Sequence, residues 1–318
     1  MVLIGYHIMG VFMRAFTTSA LWVFSLVFSL TACGTATDGM QNAGDDTAIG
    51  SDSGMTEVEG PAPAELTEVT DGVCPDLSQP GRITLTSGGA QRELLLVYPA
   101  EMTHDMPVIF HWHPLGGSAS MMVQYLQLQS LADTHQAIIV VPDLRSGSQT
   151  WGFFGDPSYD LALYDDMRSC LAQQVDIDLW RVSTSGMSAG GLWSTYLAMH
   201  RADSLSTAFI MSGGTQSPNL PYKSPSETMP ILITWGGSQD TWGSGAYLIE
   251  FEETSRDFSM NLRRDGHFVV GCDHGGGHTM PREAAEMSAA WLLDHSFGKP
   301  SPFQNDLSGL PSYCEAAP

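Results

Sequence analysis

The stretch that decides the fold reads Trp180-Arg181-Val182-Ser183-Thr184-Ser185-Gly186-Met187-Ser188-Ala189-Gly190-Gly191-Leu192-Trp193. Residues Trp180 to Ser185 read as a short buried strand, and Ala189 to Arg201 as a helix. Between them stands Gly186-Met187-Ser188-Ala189-Gly190. Its small flanking residues let the chain turn sharply from strand to helix, which places Ser188 in a strained, exposed conformation at the corner. The backbone N–H of Ala189, at the helix N-terminus, then faces any negative charge that develops on a group attacked by Ser188. A G-x-S-x-G string alone is common, and its position between a strand and a helix is what makes it specific.

On both sides of this corner the chain alternates strand and helix. Arg82 to Thr86 and Glu93 to Tyr98, separated by Ser87-Gly88-Gly89-Ala90, predict an opening antiparallel hairpin. Pro107 to His113, Ala137 to Val141, Thr207 to Met211, Pro230 to Trp235 and His267 to Gly271 predict further buried strands. Helices are expected over Ser118 to Thr134, Tyr159 to Gln174, Ala246 to Leu262, and Arg282 to His295 after Pro281. Such alternation implies an α/β domain, a mostly parallel sheet with helices on both faces, whose ligands gather at the carboxyl ends of the strands.

A serine hydroxyl is a weak nucleophile until a base takes its proton. Behind such an elbow the partners follow in the order acid, then histidine. The strand Pro230 to Trp235 runs into Gly236-Gly237-Ser238-Gln239-Asp240, which makes Asp240 the candidate acid. The strand ending near Gly271 runs into Cys272-Asp273-His274-Gly275-Gly276-Gly277-His278-Thr279-Met280-Pro281. His278 is the candidate base, since three glycines free its approach and a helix starts directly after it; His274 competes with it. Asp273 and Asp265 read as ordinary loop acids.

A second oxyanion donor is expected from the loop after the third strand, His111-Trp112-His113-Pro114-Leu115-Gly116-Gly117-Ser118. Together with the elbow, the Gly275 to Pro281 segment, Val175-Asp176-Ile177-Asp178 and Ser212-Gly213-Gly214, this loop resembles one family of α/β-hydrolase fold: the esterases that include polyhydroxybutyrate depolymerases and the feruloyl and acetyl-xylan esterases of carbohydrate esterase family one. The resemblance covers roughly Arg82 to Gly298, with Met280 where that family often has Trp and Pro114 where it usually has Gly. Pro114 has no N–H to donate. The donor that the resemblance implies is the next residue, Leu115.

The resemblance implies hydrolysis of a small, oligomeric or polymeric carboxylic ester through an acyl-enzyme, with no cofactor. Peptide hydrolysis, acyl transfer, and a catalytically inactive surface-binding role are the alternatives. His111 and His113 face one way on a strand, but without a third convergent ligand they read as structural support and not as a metal site. His274 and His278 are four apart, yet the glycines between them argue against a helical metal pair. Trp151, in Trp151-Gly152-Phe153-Phe154, either lines the acyl pocket or packs in the core. Trp242 is expected at the pocket rim.

The formal charge of −22, with only 13 Lys and Arg, excludes nucleic acid as a partner. After Arg14 an apolar run from Ala20 to Leu30 has the length of a signal-peptide core, and Leu30-Thr31-Ala32-Cys33 resembles the lipobox of bacterial lipoproteins. Residues 1–33 are thus expected to be a lipoprotein signal with Cys33 lipidated, and Met13 fits such a signal better than Met1 as its start. The chain would be exported and held at the membrane only through that lipid. Residues 34–72 hold nine acids and no Lys or Arg, and read as an acidic tether. Residues 73–318 then form the catalytic domain. In an exported chain Cys74, Cys170, Cys272 and Cys314 can form two disulfides, in any of three pairings.

Overall fold

The computed structural model describes residues 60–216 and 218–316. The apolar run, the lipobox with Cys33, and the tether as far as residue 59 lie outside the described residues. The strands are β1 (Gly81–Ser87), β2 (Ala90–Val97), β3 (Met106–Trp112), β4 (Ile138–Pro142), β5 (Ile177–Met187), β6 (Thr207–Met211), β7 (Ile231–Trp235), β8 (Thr241–Trp242), β9 (Ile249–Glu250), β10 (Val269–Asp273) and β11 (Cys314–Ala316). Nine of them form one sheet in the order β1-β2-β4-β3-β5-β6-β7-β10-β11, while β8 and β9 make a separate small ribbon. From β4 to β10 every neighbouring pair is parallel, and the hairpin β1–β2, the β2–β4 pair and β10–β11 are antiparallel.

The helices are α1 (Ala119–Tyr125), α2 (Leu128–His135), α3 (Ser158–Gln174), α4 (Ala189–His200), α5 (Phe251–Arg264) and α6 (Ala284–Leu292). Successive strand residues point to opposite faces, so the continuous apolar runs feed two cores. On one side Val108, Phe110 and Trp112 of β3 and Ile231 and Ile233 of β7 pack with Leu163 of α3, Leu197 of α4 and Phe258 of α5. On the other, Ile109 and Leu232 pack with Met122 of α1, Leu131 of α2 and Trp291 of α6. Each such fully buried side chain contributes about 1.5–3 kcal/mol relative to leaving it in water. No helix among the described residues is long and apolar enough to cross a membrane.

Several boundaries differ from the sequence reading. The helix expected over Ser118 to Thr134 is broken at Gln127, whose φ of 49° turns the chain between α1 and α2. The helix expected from Ala246 begins at Phe251, because residues 241–250 form the β8–β9 ribbon instead. The last strand, β11, has little apolar content of its own and is placed by its disulfide, Cys314 standing opposite Cys272 of β10. The other disulfide joins Cys74 to Cys170 of α3. Together they close sequence separations of 96 and 42 residues, each worth about 2–5 kcal/mol through the unfolded chain.

The tether does not extend to residue 72. Thr70 donates from both its N–H and its Oγ1 to the buried Asp166 carboxylate at 2.8 and 2.6 Å, and Ser87 Oγ adds a third bond at 2.6 Å. Arg168 donates to the Ala64 carbonyl at 2.6 Å. The acids of this segment suggest a solvated chain, but its backbone groups and Thr70 satisfy buried polar groups on α3, which composition does not reveal.

Candidate active site

Ser188 sits between β5 and α4 with φ 56° and ψ −116°, a conformation that side-chain-bearing residues rarely adopt. The corner is sharp because Gly190 lies against the Trp112 carbonyl, where an added Cβ would collide with backbone. It is held open by the Ser188 N–H, which donates to the Met211 carbonyl at 2.9 Å. Ser188 Oγ lies 2.9 Å from His278 Nε2, and His278 Nδ1 lies 2.6 Å from Asp240 Oδ1. The carboxylate accepts, so Nδ1 carries the ring proton and Nε2 is free to accept from the serine hydroxyl.

Asp240 follows β7 and is 1% exposed. Its second oxygen accepts from Ser212 Oγ at 2.8 Å and from the Gly236 N–H at 2.9 Å. These bonds fix the carboxylate in the orientation that meets the imidazole. Ser212 itself stands at the end of β6 with φ 48°. The Phe251 ring stacks on His278 with centroids 4.7 Å apart, and the Phe251 N–H donates to the Asp240 carbonyl at 2.8 Å. Gly277 N–H donates to the Gly236 carbonyl at 2.9 Å, so the loop after β10 is laddered onto the loop after β7.

Ser188 opens into a cavity of about 180 Å³ lined by Leu115, Phe153, Phe154, Leu192, Trp242 and Phe251. Ala189 lines it too, and as the first residue of α4 its N–H has no acceptor one turn back in the helix. Leu115 lies across the cavity on the loop after β3. That loop is pinned on several sides. Ser118 caps α1, the Ala119 N–H donates to Asp143 at 2.7 Å, and His113 Nδ1 donates to the Pro114 carbonyl at 2.8 Å.

No family model matches the chain. Over 156 residues it is 28% identical to Feruloyl esterase D of Neurospora crassa, a match spanning 45% of this chain and 52% of that protein. Over 155 residues it is 26% identical to a bifunctional acetylxylan esterase/xylanase of Neocallimastix patriciarum, spanning 48% of this chain and 22% of that protein. The chain therefore matches about half the length of the first relative and less of the second. Among solved structures, native pOPH superposes with a TM-score of 0.62 at 17% identity, covering 77% of this chain and 97% of that one. A thermostable esterase gives 0.52 at 16% identity, covering 68% and 62%. The chain has the α/β-hydrolase fold.

Within this fold the carboxyl ends of β3, β5, β6, β7 and β10 bring Leu115, Ser188, Ser212, Asp240 and His278 to one place. Trp151 is not part of the pocket. It is 1% exposed, donates from Nε1 to the His113 carbonyl at 2.9 Å and packs edge-on against Trp112. Core packing wins because the large ring has both a hydrogen-bond partner and an aromatic neighbour behind the β3 loop. The pocket wall is instead built by Phe153 and Phe154, held by a buried ion pair. Arg92 meets Asp160 at 2.7 Å, and the other Asp160 oxygen accepts from the Gly152 N–H at 2.8 Å. Trp242 lines the cavity while remaining half exposed. The sequence marks Ser212, in Ser212-Gly213-Gly214, only as part of the resemblance and gives it no role, and Phe251, at the start of α5, escapes the reading.

His274 is hydrogen-bonded within its own loop, its Nδ1 accepting from the Gly276 N–H at 3.2 Å, and its ring meets Tyr313 edge-on. His111 is buried, and burial pushes its imidazole down to about 3, with His113 adding to the shift. His295 is pushed down to about 4 by burial. In the unfolded chain such histidines titrate near 6.5. Below that pH the unfolded state binds more protons, so stability falls as pH drops from about 6.5 towards 3. The melting temperature should decline over that window, and His111→Leu should make the decline shallower. An equal slope in the variant would remove His111 from the acid response.

Proposed function

We propose that this protein is an exported serine esterase that cleaves carboxylic esters through an acyl-enzyme on Ser188. The observation that carries the reading is the hydrogen-bonded chain Ser188, His278 and Asp240 at the mouth of an apolar cavity. Ser188 Oγ attacks the ester carbonyl carbon while its proton passes to His278 Nε2. The Leu115 and Ala189 N–H groups hold the carbonyl oxygen as it becomes negative. Collapse of the tetrahedral intermediate breaks the bond to the alcohol oxygen, which takes the proton from His278. A water molecule then repeats the sequence on the acyl-serine and releases the acid. Asp240 keeps the imidazole in the tautomer this requires and stabilises its charged form. The feruloyl and acetylxylan esterases with which the chain shares sequence support a carbohydrate-linked ester as substrate.

The test is a fluorophosphonate probe followed by an ester panel. Labelling at Ser188, with turnover of at least one of the feruloyl, acetyl-xylan, hydroxybutyrate and short nitrophenyl esters, is the expected result. Absence of both labelling and turnover would leave a binding protein of hydrolase fold. The two disulfides fit an oxidising compartment, and lipidation of Cys33 would hold the enzyme at the cell envelope. Mass spectrometry of the protein from its native membrane should then find a mature chain that begins at an acylated Cys33. An unmodified Cys33 would overturn the anchor.

A further inference from the structure

Beside the cavity at Ser188 lies a second one of about 290 Å³. Phe154, Trp242 and Ile249 line both. The far side of the second is made by Gln216, Asn219, Tyr247 and Leu248. The first cavity alone is smaller than the roughly 300–1,000 Å³ typical of small-molecule sites, and the two together fall within that range. No charged residue lines either cavity among the described residues, although the chain carries a net charge of −22. The acids of the neighbouring segment, Glu250, Glu252, Glu253 and Asp257, line a separate cleft, which meets the second cavity at Gln216. Leu115, Phe154, Trp242, Tyr247 and Leu248 are all exposed large apolar side chains around this one mouth. Such a concentration on a surface marks a binding site.

The two sides of the scissile ester can be told apart. The leaving alcohol must sit beside His278 Nε2, which supplies its proton, and His278 does not line the first cavity. The group enclosed there is therefore the acyl group, bonded to Ser188 and bounded by Leu192 and Phe153. An acyl chain that outgrows this space meets the shared edge of Phe154 and Trp242, beyond which the second cavity begins.

We propose that the cavity bounded by Tyr247, Leu248 and Asn219 is a distal acyl subsite, so that the enzyme selects esters of long, uncharged acyl groups over acetyl esters. The inference rests on Ser188 being the nucleophile of an esterase. The experiment compares kcat/KM for 4-nitrophenyl octanoate and 4-nitrophenyl acetate in the wild type, Tyr247→Ala, Tyr247→Phe and Asn219→Trp. Tyr247 is 80% exposed, so its truncation costs the fold little.

The octanoate-to-acetate ratio should fall roughly tenfold or more in Tyr247→Ala and in Asn219→Trp, which fills the cavity, and should return in Tyr247→Phe. An unchanged ratio would overturn the subsite. So would a loss seen with octyl acetate and not with the octanoate, which would place the alcohol there. If no ester is turned over at all, the esterase reading fails separately, and the subsite is still tested by calorimetric titration of 4-nitrophenyl octanoate. Ser188→Ala should bind it at least tenfold more tightly than Ser188→Ala carrying Tyr247→Ala. Equal binding, or none, would refute it.

Discussion

Replacing Ser188 by alanine should lower ester hydrolysis by roughly a millionfold, the scale of loss when a triad nucleophile is removed. Among the described residues lining the cavity, the Ser188 hydroxyl is the one hydrogen-bonded to a base, 2.9 Å away. The fold should survive, because truncating one oxygen leaves the backbone bond from Ser188 N–H to Met211 in place. A second variant separates chemistry from strain. The φ of 56° and ψ of −116° are the mirror image of an ordinary extended conformation, which costs a side-chain-bearing residue about 1–3 kcal/mol and glycine almost nothing. Ser188→Gly should therefore be as inactive as Ser188→Ala and melt at a higher temperature. Substantial turnover in either variant would move the nucleophile elsewhere, and a lower melting temperature for the glycine variant would refute the strain.

His278→Ala should cost several orders of magnitude in kcat at pH 8, while His274→Ala should cost less than about tenfold. Only His278 bridges Ser188 and Asp240, at 2.9 and 2.6 Å. His274 is engaged with Gly276 and Tyr313, and burial lowers its pKa. Its removal should show mainly in melting temperature, by loosening the loop that carries His278. Reversed losses would reassign the base and require the oxyanion geometry to be rebuilt around His274.

The elbow, the alternation of strands and helices and the acid loop were legible because local rules decide them. A strand, a corner of small residues and a helix can be read within fourteen residues, and long apolar runs announce strands buried on both faces. What could not be read depends on contacts distant in sequence. Trp151 goes to the core because the His113 carbonyl, 38 residues away, accepts its indole N–H. Ser212 becomes a holder of Asp240 only once β6 and β7 lie side by side. Residues 64–71 look solvated by composition and are fastened to α3 by a buried carboxylate. β11 has no apolar pattern and exists through Cys314. The ribbon 241–250 reads as helix start and loop, and its pairing supplies Trp242, Tyr247 and Leu248 to the mouth.

Gly236 and Gly277 touch backbone to backbone, so closely that a Cβ on Gly236 would occupy the Gly277 carbonyl. The segment carrying the acid and the segment carrying the base thus move as one body, and neither can be retuned without disturbing the other. For anyone diversifying this protein, the consequence is a sharp division of the sequence into forbidden and permissive ground. Libraries at position 236 would return almost nothing but dead clones, and position 277, with φ 71°, would keep glycine or at most asparagine. Libraries at Trp242, Tyr247 and Leu248, exposed side chains a few residues downstream on the ribbon, should yield altered substrate range at little cost in folding.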